Sequence, residues 1–378
     1  MTRILHVYKD VYPPVAGGIE RHIHSIRLAL PDLQHDVLVC SRSHRTDLRS
    51  PGPNVSGYEV LVGEFGRVWS TPIAPTFPRW LRRLARDAIV HLHIPNPLGE
   101  LSSLMVDERT PIVVTYHCDI FRQRAMMPLY KPLLLRVMRQ AREVVCASDR
   151  LRTNSPVLAA LDRDVRVVPF GIDPTQWDPR HVPAHLVSGL RARYGGPFVI
   201  AVGRLVSYKG FAQLIDIAAG FPLPLVIVGD GPERSALARQ ITDRRLDGRV
   251  FLAGRVSDDE LAAHLVAAQM FVLASVNRAE AFGIATLEAQ AAGLPVIVTD
   301  VGTGTREAFA PEETGLLVPA GDSRALLGAL RQLAGDPVLC ARMGEAGRRR
   351  IASTNSLEQL GQQLARVYTN AIATPSEY

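Results

Sequence analysis

The chain has 378 residues, 47% of them hydrophobic and 21% charged, with a net charge of +6. That balance excludes a disordered or fibrous chain, and the length calls for two domains of ordinary size. No apolar run approaches the roughly 18 residues of a membrane span, and residues 1–10 read as a first strand rather than a secretory signal. A cytoplasmic protein is expected.

Short apolar runs alternate with stretches of helical period along the chain, the pattern of repeated βα units on a mostly parallel sheet. Strands are predicted at residues 4–7, 37–40, 89–92, 112–116, 144–147 and 165–168. Pro169-Phe-Gly-Ile-Asp-Pro174 then breaks the pattern. A second series follows at 198–202, 225–228, 250–252, 270–273, 296–299 and 316–318. Helices are predicted between these strands at 210–220, 233–244, 258–268 and 284–293, and three more close the chain near residue 373. Two such series imply an α/β protein of two doubly wound, Rossmann-like domains facing a central cleft. The first is residues 1–170, joined by a last helix at about 356–378, and the second is residues 171–355. Ligands of such sheets bind beyond the carboxyl ends of the strands.

Four cysteines (Cys40, Cys118, Cys146, Cys340) are scattered with no CxxC pair and sit in or beside apolar runs. They read as free buried thiols. Charge is uneven: residues 1–172 hold 23 Lys+Arg and 16 Asp+Glu, whereas the remainder holds 20 and 21. A basic first half is expected to meet something anionic, whether nucleic acid, a membrane surface or a phosphorylated substrate. Lysine occurs only at positions 9, 131 and 209.

The first post-strand loop, Pro13-Pro-Val-Ala-Gly17-Gly18-Ile-Glu20, leads into a helix. Paired glycines there either make an ordinary turn or let backbone N–H groups approach an anion. Neither GxGxxG nor GxxxxGK[ST] occurs. His117, at the end of the 112–116 strand, is either structural or a hydrogen-bond donor or base. Gly203-Arg204-Leu-Val-Ser-Tyr-Lys209-Gly210 brackets two cations with glycines beyond a strand, a clamp suited to a diphosphate. Beyond the 270–273 strand lies Glu280-Ala281-Phe282-Gly283-Ile284-Ala-Thr-Leu-Glu288, in which a helix start leaves N–H groups free for an anion.

This combination resembles the large GT-B family of retaining glycosyltransferases that carries an E-x7-E pair, glycosyltransferase family 4. The matches are Gly17-Gly18, His117, Arg204…Lys209, Val226-Ile-Val-Gly-Asp-Gly-Pro-Glu233 and Glu280/Glu288, in family order over about residues 12–320. The resemblance implies that Arg204 and Lys209 bind the donor's diphosphate. It implies that Glu280 holds donor-sugar hydroxyls, Glu288 the ribose, and the backbone of Ala281, Phe282, Gly283 and Ile284 the sugar and phosphate. Arg255 and Val256 would read the nucleobase through their backbone, His117 would meet the transferred sugar, and Gly18, with Gly17, would close over the phosphates. The catalytic set is then His117, Glu280, Arg204 and Lys209. One departure stands out: Gly302-Thr-Gly-Thr-Arg-Glu307 replaces the family's Gly-Gly-Glu.

The resemblance further implies front-face transfer with retention of configuration, with no metal and no cofactor beyond the nucleotide-sugar donor. A D-x-D pair, Asp162/Asp164, precedes a strand and reads as an exposed turn. The surroundings of Gly18 and His117 resemble bacterial mannosyl- and rhamnosyltransferases, which favours a GDP-sugar and surface polysaccharide, lipopolysaccharide or glycolipid synthesis. A saccharide or lipid-linked phosphorylated acceptor is expected. The segment Pro78–Arg86 sets Trp80, Leu81 and Leu84 among four arginines, suited either to an anionic membrane at the inner face of the cytoplasmic membrane or to packing on the sheet. Two alternatives stay open: a sugar-nucleotide epimerase of similar shape, and nucleic-acid binding by the basic half. The second lacks a recognisable binding motif, so no nucleic acid is expected.

Overall fold

The computed structural model describes residues 2–373 apart from Ala16, 52–54, Ser70 and 121–125. Ala16 of the first glycine loop, and residues 374–378 of the last predicted helix, lie outside the described residues. The chain divides into two compact units, Met1–Gly171 with Leu357–Tyr378 and Ile172–Ser356.

Unit 1 contains β1 (Arg3–Val7), β2 (Gln34–Ser41), β3 (Asp47–Arg49), β4 (Glu59–Gly63), β5 (Arg67–Val68), β6 (Thr71–Pro72), β7 (Ile89–Ile94), β8 (Ile112–Tyr116), β9 (Glu143–Cys146) and β10 (Arg166–Val167). Its helices are α1 (Gly18–Ala29), α2 (Phe77–Leu84), α3 (Pro97–Ser103), α4 (Met127–Gln140), α5 (Asp149–Asn154) and, from the chain's last segment, Leu357–Ala373, numbered α13 in chain order. The main sheet runs β10-β9-β8-β7-β1-β2-β4-β3, parallel except for β3. Strand β4 was not anticipated: five buried residues, Glu-Val-Leu-Val-Gly, follow a polar, Pro- and Gly-rich stretch that hides them.

Because the strands are covered on both faces, they read as continuous apolar runs. One face packs Leu5, Leu38, Val60, Leu92 and Val114 against Phe77 and Leu81 of α2 and Leu134 and Met138 of α4. The other packs Ile4, Ile89, Val113 and Val145 against Ile26 of α1 and Leu360, Leu364 and Val367 of α13. Each fully buried aliphatic side chain contributes about 1.5–3 kcal/mol. In α2, Trp80 and Leu84 also pack on the core while Arg79, Arg82 and Arg83, with Arg86 just past the helix, stay exposed. The apolar face that the sequence offered to a membrane is therefore occupied by the sheet. Among the described residues, no helix is long and apolar enough to cross a membrane.

Unit 1 also buries a line of imidazoles. His6 on β1 pairs in register with His91 on β7, and His91 and His93, two apart, share a face. His35 on β2 and His117 after β8 extend the line, and all five are at most 3% exposed. Burial pushes His35 down to about 4 and His91 and His117 to about 3. Burial, joined by the other imidazoles, also holds His6, His22 and His93 well below the usual value.

Unit 2 contains β11 (Val199–Val202), β12 (Leu225–Val228), β13 (Val250–Gly254), β14 (Met270–Leu273), β15 (Val296–Asp300) and β16 (Gly315–Pro319), in a parallel sheet ordered β13-β12-β11-β14-β15-β16. Its helices are α6 (Ala184–Tyr194), α7 (Phe211–Ile217), α8 (Arg234–Asp243), α9 (Asp258–Ala267), α10 (Ile284–Ala291), α11 (Ser323–Gly335) and α12 (Pro337–Thr354). The strand order reverses between β11 and β14, the switch point at which such sheets open a crevice. In unit 1 the reversal falls between β1 and β7.

The buried histidines give the fold a definite acid response. An unfolded chain binds protons at each imidazole below about pH 6.5, whereas the folded chain keeps these groups neutral to well below that. Stability is complete above about pH 6.5 and falls as pH drops, by about 1.4 kcal/mol per pH unit for each histidine still neutral. Urea midpoints measured from pH 7.5 to 5.0 should fall steadily, with more than two protons taken up on unfolding at pH 5.5. A flat profile over that window would mean the imidazoles are not buried neutral.

Candidate active site

The unit 2 site is assembled by loops that follow β11, β12, β13, β14 and β15. Three of them touch backbone to backbone. A Cβ on Gly229 would lie 1.9 Å from the Gly203 carbonyl oxygen, one on Gly231 2.5 Å from that of Leu205, and one on Gly210 2.0 Å from that of Ala274. No side chain fits at these approaches. Hydrogen bonds from Gly203 N to Val228 O and from Leu205 N to Asp230 O, both 3.0 Å, lock the β11 and β12 loops together.

Leu205 anchors the β11 loop in the core, leaving Arg204 exposed on one side. Lys209 folds back across Gly203, with Cε 3.2 Å from where a Cβ would be. Its Nζ lies 2.6 Å from Glu280 Oε2. The same carboxylate oxygen accepts from Ser275 Oγ at 2.9 Å. Burial alone would lower the lysine, but Glu280 first, then Tyr208 and Glu288, more than offset it and hold the ammonium above its ordinary value. Lys209 is thus a fixed cation, and with three N–H donors it keeps capacity for a second anion.

Glu280 is also held from behind. Thr303 Oγ1 donates to its carbonyl oxygen at 2.6 Å, and Thr299 Oγ1 donates to the Ser275 carbonyl at 2.5 Å. Gly283 then takes a left-handed conformation at the start of α10, where a Cβ would strike the Leu273 side chain at 2.6 Å. Phe282 is buried, Ala281 and Ile284 are half-buried, and Glu288 is buried one turn into α10. The structure therefore joins Lys209 and Glu280 directly. Arg255, exposed, and Val256, half-buried, follow the end of β13 at Gly254.

In unit 1, Gly17 is the N-cap of α1 with no side-chain cap bond, and Gly18 opens the helix. Glu20 folds back over this turn: a Cβ on Gly17 would lie 2.1 Å from Glu20 Oε2. A carboxylate of the chain itself therefore lies against the glycine pair, which the sequence had offered to an anion. His117 stacks on Phe170 at a centroid distance of 6.1 Å and meets His22 edge-on. Asp162 and Asp164 are exposed in the turn before β10.

Residues 16–176 match the model of Glycosyltransferase Family 4, and residues 189–350 match that of Glycosyl transferases group 1. O-antigen chain mannosyltransferase C of Escherichia coli is 30% identical over 99% of this chain and 100% of its own. D-rhamnosyltransferase WbpZ of Pseudomonas aeruginosa is 33% identical over 90% of this chain and 89% of its own. The chain belongs to this glycosyltransferase family. Sucrose-phosphate synthase from Thermosynechococcus elongatus matches with a TM-score of 0.80 at 22% identity, covering 99% of this chain and 100% of that one. Anabaena HepE in complex with UDP matches at 0.76 and 19% identity, over 97% and 100%. The fold of this glycosyltransferase is GT-B, with two Rossmann-like domains.

Sequence reasoning missed Ser275 and Thr299 in this glycosyltransferase, and it marked the Thr303 loop without foreseeing its contact with Glu280. The departure at residues 302–307 was the signal for Thr303: its hydroxyl does backbone work beneath Glu280. Nothing local marked Ser275, which becomes a partner of Glu280 only when the loop folds back.

The Lys209–Glu280 pair sets a stability test. Breaking a buried pair from one side leaves an uncompensated charge, at about 3–5 kcal/mol. Lys209→Met and Glu280→Leu should each lower stability on that scale, and the double variant should recover most of the loss. Urea unfolding of the three variants gives the coupling energy, and simple additivity would show the pair to be unimportant to the fold.

Proposed function

We propose that this glycosyltransferase moves a mannose- or rhamnose-type hexose from a GDP-sugar to a saccharide or lipid-linked phosphorylated acceptor in surface polysaccharide or glycolipid synthesis. The mannosyl- and rhamnosyltransferase relatives, similar over nearly the whole chain, support the sugar and the pathway type. HepE, solved with UDP and with UDP-glucose, supports nucleotide-sugar binding by this fold and makes UDP the competing base. The observation that carries the reading is the Lys209 ammonium, held by Glu280 on the same loop as the exposed Arg204, at the switch point of unit 2.

In this reading Arg204 and Lys209 receive the diphosphate, Glu280 and the Ala281–Ile284 backbone receive the sugar, and Glu288 the ribose. Arg255 and Val256 read the base through their backbone. Gly17 and Gly18 contact phosphate after Glu20 swings away, and His117 serves the sugar side. The bond from the anomeric carbon to the β-phosphate oxygen breaks as the acceptor oxygen bonds on the same face. The acceptor proton leaves on the departing phosphate oxygen, so configuration is retained without a covalent enzyme intermediate. One fixed cation, Lys209, and one exposed cation, Arg204, supply the charge that a metal would otherwise bring, and transfer is proposed to be metal-independent. We place the reaction in the cytoplasm, where the exposed arginines of α2 favour contact with an anionic membrane face.

Thermal shifts with GDP, UDP, ADP and dTDP test the donor, since binding adds RT ln(1 + [L]/Kd) to stability. GDP should give the largest rise, unchanged by excess chelator. A rise confined to UDP would overturn the GDP reading, and one lost in chelator would overturn metal independence. Lys209→Ala, with its folding checked, should lower transfer from GDP-mannose by roughly 10²–10³-fold, the usual cost of losing one donor to a developing charge. Near-normal turnover would remove Lys209 from the leaving-group role.

A further inference from the structure

The buried imidazoles of unit 1 form one hydrogen-bonded chain. His35 Nε2 lies 2.9 Å from the Leu30 carbonyl oxygen. His35 Nδ1 lies 3.0 Å from His6 Nε2, His6 Nδ1 3.1 Å from His93 Nε2, and His93 Nδ1 3.0 Å from His117 Nε2. His117 Nδ1 is buried and, among the described residues, has no hydrogen-bond partner.

A carbonyl oxygen can only accept, so His35 carries its proton on Nε2. In a neutral ring the other nitrogen is then bare, so His35 Nδ1 accepts from His6 Nε2–H. The same rule passes along the chain: His6 Nδ1 accepts from His93, and His93 Nδ1 accepts from His117 Nε2–H. We infer that the chain Leu30–His35–His6–His93 fixes the tautomer of His117, holding its proton on Nε2 and leaving the Nδ1 lone pair as an acceptor for a saccharide hydroxyl. His93, His6 and His35 are positioning residues. Burial, which holds all four rings below neutral pH, is what makes the one-proton-per-ring count valid.

Two other uses of the cluster fit less well. His6, His91 and His93 lie close enough together to hold a metal ion. Every ring nitrogen of the three is already engaged, however, those of His91 by Tyr368 Oη at 2.8 Å and Thr115 Oγ1 at 2.7 Å. A proton relay also fails, because the Leu30 carbonyl at the far end cannot take the proton onward. His117 thus offers a directed acceptor rather than the donor or base that its position in the sequence suggested.

The tautomer assignment stands on unit 1 alone, whereas the hydroxyl-binding role rests on the proposed transfer reaction. Two-bond ¹⁵N–¹H spectra of the labelled protein should show His117 protonated on Nε2 and bare on Nδ1. In His93→Leu the acceptor is lost: His117 should become a mixture of tautomers, and kcat/KM for GDP-mannose should fall at least tenfold. His93→Asn, whose amide oxygen can stand where Nδ1 stood, should restore the single tautomer and most of the rate. A proton on His117 Nδ1 in the unaltered protein, or an unchanged tautomer in folded His93→Leu, would overturn the inference. Absence of any turnover of GDP-mannose would count against the donor reading alone, because the nitrogen spectra need no substrate.

Discussion

One ion pair organises the candidate site. Lys209 arrives from the loop after β11 and Glu280 from the loop after β14, strands that are neighbours only because the sheet order reverses between them. Neither charge would be stable at that depth by itself, since the cost of desolvating one is offset only by the other. Around the pair, Ser275 and Thr303 hold Glu280, while close backbone contacts at Gly203, Gly210, Gly229 and Gly231 leave the loops little room to move. The charge arrangement is thus set before any substrate arrives, as the proposed stabilisation of a departing diphosphate requires.

Much of this was legible in the chain because local rules and global fold agree. The runs at 112–116, 225–228 and 270–273 form strands over the bounds their apolar patterns set, since strands buried on both faces need no outside information to be recognised. Strand β4 escaped because a polar, Pro- and Gly-rich stretch precedes it and its first residue, Glu59, is a charge; the reason that charge can be buried lies 32 positions away in Arg27, whose Nη1 donates to it at 2.7 Å. Similarly, Arg204 and Lys209 were conspicuous as a bracketed pair, yet the sequence treats them alike. The structure separates them: one is exposed, the other clasped by a carboxylate.

The imidazole chain is the clearest case of what sequence cannot carry. His91 and His93 are two apart and share a face by simple alternation, but His6, His35 and His117 join them only through strand order and register. Their neutrality follows from burial, their proton positions from a single carbonyl, and neither is a property of any histidine taken alone. Polar groups in such a core must be satisfied together or not at all.

The last helix, α13, has a consequence for how the protein is made. Its residues Leu360, Leu364, Val367 and Tyr368 cover one face of the unit 1 sheet, although they are synthesised after all of unit 2. During translation unit 2 can fold as one continuous stretch, while unit 1, begun first, waits with an apolar face and the His91 side chain uncovered until residue 373 has left the ribosome. The first half of the chain is therefore the later to mature, and in that interval it is the half with most to gain from a chaperone.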